Sequence, residues 1–345
     1  MQALASHIRH NSRFKQDVRL GLIPVPILPA KSQWEFLSCD YSKYNVGVMP
    51  ALGRRLAFTQ LDVFTSQPLS GNALAVVHDA TGLTTEEMQS LARETNLSET
   101  TFVFPRDAAT EREHGKRVRI FTVQEELPFA GHPTLGTAFF LRGTSQSSEI
   151  VLDLNVGRVP VRFTEQPSQP AFAEMTQAEP KFGSTHDRET VVRAAGLKDG
   201  DIDPSLPIQT VSTGLPFIVV PLRGLSIIRH LHLDGKGAAE YLSQADGKFF
   251  YFVTRETVDQ AARLHARMIF YSGEDPATGS AAGCASAWMA AHGVAQPGEQ
   301  VLIEQGIEMK RPSRIFVRAD RKENRVFNVR VGGNAVEVMR GEFVL

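Results

Sequence analysis

Cysteine is nearly missing from this chain: 345 residues contain two, Cys39 and Cys284. Two thiols so far apart give no disulfide framework and no zinc-ligand spacing, and they point to a reducing, cytoplasmic setting. Cys284 stands within an apolar stretch and reads as a small core residue. No apolar run approaches the roughly 18 residues that a membrane-crossing helix needs. Neither sign of charge is in excess, since 37 Lys and Arg against 38 Asp and Glu leave a net charge of −1. Nothing therefore steers the protein toward nucleic acid or a membrane surface. The one basic cluster, Arg311, Arg314, Arg318, Arg321, Lys322 and Arg325, is interleaved with apolar residues and reads as the solvated face of strands and a turn. Also missing are a Gly-x-Gly-x-x-Gly after a strand and an evident βαβ series, which disfavours a dinucleotide fold.

What is present is an ordinary globular composition, 42% hydrophobic and 22% charged, over a length that suggests two domains. Residues 1–52 differ from the rest. The first twenty are basic with one acid, Asp17, and Leu22 to Pro29 is a proline-punctuated extended stretch. The segment resembles a transit peptide in charge but shows no helical face. It reads as a poorly ordered N-terminal extension, with Met49 as the working start. The expected domains are 53–165 and 166–345, the last strand returning to the first.

From Leu56 the pattern is dense. Strands are expected at Leu56–Phe64, Ala73–Val77, Thr101–Phe104, Val118–Phe121, Ile150–Leu154 and Val159–Phe163. Thr84 to Thr95 carries a capping box, Thr84 with Glu87, and an apolar face of Met88, Leu91 and Ala92. The second half repeats the style, with helical patches near Glu189–Ala195 and Ala238–Leu242 among short strands. Short strands with turn signals and a few buried helices indicate an α+β fold with antiparallel sheets.

Two turns stand out. Asp275-Pro276-Ala277-Thr278-Gly279-Ser280 opens an apolar helix that runs to about His292, and Ala130-Gly131-His132-Pro133-Thr134 opens another that ends near Arg142. Free N–H groups and the positive end of a helix dipole can hold an anion at such a start. A plain helix cap would favour several of the same residues. The recurrence in each half suggests two facing helix starts around one small anionic ligand. Glu99, between apolar Leu97 and Phe102, is a candidate for a partly desolvated proton shuttle; a solvated loop carboxylate is the bland alternative. His132, Asp275 and Ser280 bracket the two turns. A serine nucleophile is not supported, because Thr278-Gly279-Ser280-Ala281-Ala282 lacks the second glycine of G-x-S-x-G. Acid–base groups without metal or phosphate motifs point to proton transfer.

The chain resembles the PhzF family of phenazine-biosynthesis-like isomerases, within the diaminopimelate epimerase superfamily. The resemblance rests on Asp62-Val63-Phe64, Ser70-Gly71-Asn72, Asn96-Leu97-Ser98-Glu99-Thr100 and Leu127-Pro128-Phe129-Ala130-Gly131-His132-Pro133-Thr134. It continues through Thr213-Gly214-Leu215-Pro216-Phe217, Glu274 to Ala281, Gln305 to Met309 and Arg311-Pro312-Ser313. It implies two similar domains, each an antiparallel sheet or barrel wrapped around a central helix, with the site between them. It further implies an isomerase that needs no cofactor and no metal, usually a homodimer, acting on a small substrate with a carboxylate. By motif position, Glu99 resembles the general acid/base, while His132, Asp275 and Ser280 resemble residues that hold the substrate and assist proton movement. Backbone N–H groups around Gly131 and Gly279, next to Thr278, would bind the carboxylate. Related racemases place a cysteine at each turn; the positions aligned with those are Ala130 and Pro276, so a two-thiol mechanism is disfavoured. Ala73 stands where the family commonly has proline. Two other readings stay open: a non-catalytic binding protein on this scaffold, and an epimerase using Glu99 and Asp275 as its bases.

Overall fold

A computed structural model of the chain describes residues 53–145, 147–165, 170–270 and 273–345. The expectations for the N-terminal extension, Met49 included, lie outside the described residues. The first half runs β1 (Arg55–Val63), β2 (Asn72–Val77), α1 (Thr85–Thr95), β3 (Glu99–Phe104), α2 (Ala108–His114), β4 (Lys116–Phe121), β5 (Glu126–Leu127), α3 (Gly131–Arg142), β6 (Glu149–Leu154), β7 (Gly157–Thr164) and β8 (Phe172–Thr176). Next come β9 (Lys181–Thr185), α4 (Arg188–Ala195), β10 (Gln209–Ser212), β11 (Pro216–Leu222), α5 (Leu225–Arg229), α6 (Gly235–Leu242), β12 (Phe249–Thr254), β13 (Ala262–Phe270) and β14 (Gly273–Asp275). The chain closes with α7 (Gly279–Ala291), β15 (Val301–Gln305), β16 (Ser313–Lys322), β17 (Arg325–Gly333) and β18 (Ala335–Val344).

The fold is α+β, but its sheet is mixed rather than antiparallel. Parallel pairings join β2 to β3, β4 to β6, β11 to β12 and β13 to β15. Parallel neighbours need a crossover connection, and α1, α3, the α5–α6 pair and α7 lie in the four connections. These are βαβ units that the sequence does not announce, because strands of five to nine residues, with β5 and β14 interposed in two of the connections, blur the alternation. The last strand, β18, pairs antiparallel with β1, and β17 pairs with β8, so the ladder passes between the halves of the chain.

Two helices sit inside the sheet. In α7 every residue from Gly279 to Ala290 except Ser280 is buried. A helix apolar on all sides cannot face water on any of them, and this one packs against β10, β11, β16 and β17. Helix α3 is likewise buried from Gly131 through Ala138 and packs against β1, β2, β3, β6, β7 and β8. Each half of the chain thus wraps one central helix. By contrast α1 is amphipathic, with Met88, Leu91 and Ala92 inward and the Thr84–Glu87 capping box formed.

Most arginines of the basic cluster near the C-terminus are engaged by partners within the fold. Arg314 pairs with Asp259, Arg318 with Glu174 and Arg325 with Glu179. Arg321 donates to the Ala290 and Ala291 carbonyls at the end of α7, where a cation complements the helix dipole. Cys284 is fully buried, and burial pushes its thiol up to about 11.

Candidate functional site

Helices α1, α2, α4 and α6 each begin with a side chain, Thr84, Asp107, Asp187 or Asp234, that accepts hydrogen bonds from the first turn. The short α5 is served from outside, Glu256 accepting from Leu225 N at 2.9 Å. The two central helices are different: α3 follows Ala130 and α7 follows Thr278, and neither has a side-chain cap. Their first N–H groups are thus left for something else. The two starts also meet. A Cβ added to Gly131 would lie 3.0 Å from Gly279 Cα and from Ser280 N, so any side chain here presses on the facing backbone and glycine suits the approach.

Around this junction stand the candidate side chains. Glu99 opens β3, and its side chain is 15% exposed, not free in water. Its Oε2 lies 3.3 Å from His132 Nε2, the second residue of α3. Neither atom has a hydrogen bond of good geometry, so the pair keeps unused donor and acceptor capacity inside the protein. Burial raises the Glu99 carboxyl well above its ordinary value, and the nearby Asp275 charge adds to this. Burial also pushes the His132 imidazole down to about 3, so that it is neutral near pH 7.

Asp275 is brought to the same place by β14. It accepts from Asn72 Nδ2 at 2.8 Å, Thr278 Oγ1 at 2.6 Å and, more distantly, Ser98 Oγ at 3.4 Å. Burial, the dominant influence, and the Glu274 charge outweigh these hydrogen bonds and raise Asp275 to about 6. Thr278 has its single hydroxyl proton committed to Asp275, so its side chain orients that carboxylate. Ser280, in the first turn of α7, is half-buried.

Two residues that were not singled out complete the frame. Asn72, 1% exposed, also donates to Ala277 O at 3.0 Å and lies 3.2 Å from His132 Nδ1. Gln305, fully buried, donates to Asp275 O at 2.7 Å and Thr278 Oγ1 at 3.0 Å, and its Oε1 accepts from Thr278 N and Tyr251 OH. The sequence signal for both was their place in the Ser-Gly-Asn and Gln-Gly motifs, which gave no role.

The profile of the family described as phenazine biosynthesis-like protein matches residues 61–341. The chain belongs to the PhzF family. A Mesorhizobium japonicum protein named as an isomerase is 39% identical over 82% of this chain and 97% of its own length. The trans-2,3-dihydro-3-hydroxyanthranilate isomerase of Pseudomonas chlororaphis is 34% identical over 83% of this chain and 98% of its own. Among solved structures, a Bacillus anthracis phenazine biosynthesis protein of the PhzF family superimposes with a TM-score of 0.75 at 27% identity, covering 85% of this chain and all of that one. The named relatives are isomerases, and the chain is an isomerase of this PhzF type. No helix among the described residues is long and apolar enough to cross a membrane.

Proposed function

We propose that this PhzF-type isomerase moves a proton between two carbons of a small carboxylate-bearing substrate, with Glu99 as the general base and then the general acid. The observation that carries the reading is the Glu99 carboxyl, buried beside the start of α3 with its Oε2 unbonded. A desolvated carboxylate is a stronger base than a solvated one, and its raised pKa suits it to both halves of a proton shift near neutral pH. Glu99 takes a proton from one carbon, the C–H electrons enter the conjugated system, and the Glu99 acid returns the proton to the other carbon. The uncapped starts of α3 and α7, around Gly131, Gly279 and Ser280, hold the substrate carboxylate and the negative charge that builds during the shift. The reaction as written needs no cofactor or metal.

Asp275 is less suited to be a second base. Both of its oxygens already accept hydrogen bonds from the protein, which favours positioning over proton abstraction and so favours isomerisation over two-base epimerisation. A homodimer in solution is part of the proposal, and sedimentation of the full chain checks it. The functional test is turnover of trans-2,3-dihydro-3-hydroxyanthranilate and related cyclic unsaturated acids, followed by absorbance and chromatography. Conversion to a rearranged isomer supports the reading. Saturable binding of such acids with no conversion of any of them makes the chain a binding protein instead.

A further inference from the structure

The amide of Asn72 joins parts of the site that come from both halves of the chain. Its Nδ2 lies within hydrogen-bond distance of Asp275 Oδ1 (2.8 Å), Ala277 O (3.0 Å) and His132 Nδ1 (3.2 Å). Which end of a buried amide is nitrogen follows from its neighbours. The Ala277 carbonyl can only accept, so Nδ2 must face it; the flipped amide would set two carbonyl oxygens against each other. An amide nitrogen has no lone pair to offer. The contact with His132 is therefore attractive only if an Asn72 N–H points at an unprotonated Nδ1. Two N–H bonds then serve three acceptors, His132 Nδ1 taking the longest share.

We infer that Asn72 is a positioning residue that fixes His132 as the Nε2–H tautomer, so that His132 faces Glu99 as a hydrogen-bond donor and not as a base. With its proton on Nε2, the imidazole carries its one N–H on the side of Glu99, whose Oε2 lies 3.3 Å from Nε2. The two atoms are not aligned as a hydrogen bond here, and a small turn of either side chain lets the N–H reach the carboxylate. A second proton, on Nδ1, would oppose the Asn72 N–H, so the ring stays neutral. The Ala73 backbone accepts a hydrogen bond from the ring and favours a protonated nitrogen there, so the competing arrangement puts the proton on Nδ1. It would leave Nε2 an acceptor before Glu99 and force the Asn72 N–H against another N–H. The catalytic use of the tautomer rests on the isomerase reading, but the tautomer does not.

The two are tested separately. In uniformly 15N-labelled full-length protein without substrate, two-bond 1H–15N spectra report which ring nitrogen bears the proton, and His132→Gln assigns the signal. The expected pattern is a protonated Nε2 and an unprotonated Nδ1. In Asn72→Asp, whose carboxylate can accept from Nδ1, the proton is expected to move to Nδ1. The same variant is expected to lower kcat by about 100-fold while KM changes by less than about 3-fold. A wild-type spectrum with the proton on Nδ1 overturns the inference even if the variant fails to fold. So does an Nε2–H tautomer that persists in Asn72→Asp, or in Asn72→Ala at full activity. If the spectra are as expected and no acid is turned over, the tautomer stands and the isomerase reading falls.

Discussion

His132 Nε2 and Glu99 Oε2 lie 3.3 Å apart inside the protein, and neither has a hydrogen-bond partner. Unmet hydrogen-bonding capacity in a buried place costs stability, and it is retained here where two uncapped helices begin. The arrangement is understandable if a bound molecule completes it.

The two buried carboxyls give the activity an acid limb. Asp275 is raised to about 6, and its charge is one of the causes that raise Glu99. As pH falls, protons bind the pair and remove the base, so kcat/KM is expected to fall on the acid side with an apparent pKa that belongs to the pair and lies above the ordinary carboxylate range. Asp275→Asn deletes the charge, lowers the Glu99 pKa and moves the limb of the residual activity to lower pH. Stability runs the other way: a carboxyl with a raised folded-state pKa favours folding most at low pH, and that contribution is lost as pH rises from about 4 to about 6. Thermal unfolding across this window should show Asp275→Asn gaining on the wild type as pH increases.

The approach of the two helix starts should tolerate no side chain. Gly131→Ala puts a Cβ against the backbone of Gly279 and Ser280, and a destabilisation of ~1–3 kcal/mol is expected from such overpacking. Activity should fall further than stability, because the N–H groups of both helices are displaced. Gly283→Ala meets a different neighbour, the Gln177 amide, which holds the Gly279 carbonyl at 3.1 Å. It should lower the melting temperature and raise KM more than it lowers kcat.

A second buried group of charges lies on β13, on β15 and just beyond β15. His265, fully buried, sits 2.8 Å from Glu304 Oε1 and 3.2 Å from Glu308 Oε1. Burial alone would lower the imidazole, but the two carboxylates outweigh it and raise it, while His265 in turn helps to lower both of them. The His265 contribution is complete below its ordinary 6.5 and is lost as pH rises through its folded-state value. The carboxylate contributions are complete above 4.5 and are lost as pH falls through their folded-state values. The triad therefore favours folding most between about pH 4.5 and 6.5. His265→Leu leaves two buried carboxylates without their cation, and a loss of about 3–5 kcal/mol is expected, read by denaturant unfolding near pH 6.

Much of this was legible in the chain. The capping box of Thr84 and Glu87 gave α1, and two all-apolar stretches after Gly-bearing turns gave α3 and α7. What escaped has physical reasons. Helix α2 buries no residue and β9 is wholly exposed, so neither has a hydrophobic period to read. The four parallel pairings depend on crossovers that close over distance and leave no local mark. Glu99, His132 and Asp275 are chemically conspicuous and stand out in the sequence as candidates. Asn72 and Gln305 are uncharged, and they act through hydrogen bonds to residues 203 and 30 positions away, which no local pattern shows.

The central claim is that Glu99 carries the proton. It is tested most directly by incubating the protein in deuterium oxide with trans-2,3-dihydro-3-hydroxyanthranilate, or the related acid that it converts, and locating deuterium in the product by NMR. Wild-type protein is expected to place deuterium on the carbon that gains a proton, unless transfer outruns exchange, in which case substrate deuterated at the donor carbon delivers its label there. Glu99→Gln, nearly isosteric, is expected to lower the rate by about 10²–10⁴-fold while the fold is kept. Isomerisation by Glu99→Gln at the wild-type rate, with the same label pattern, would contradict the account.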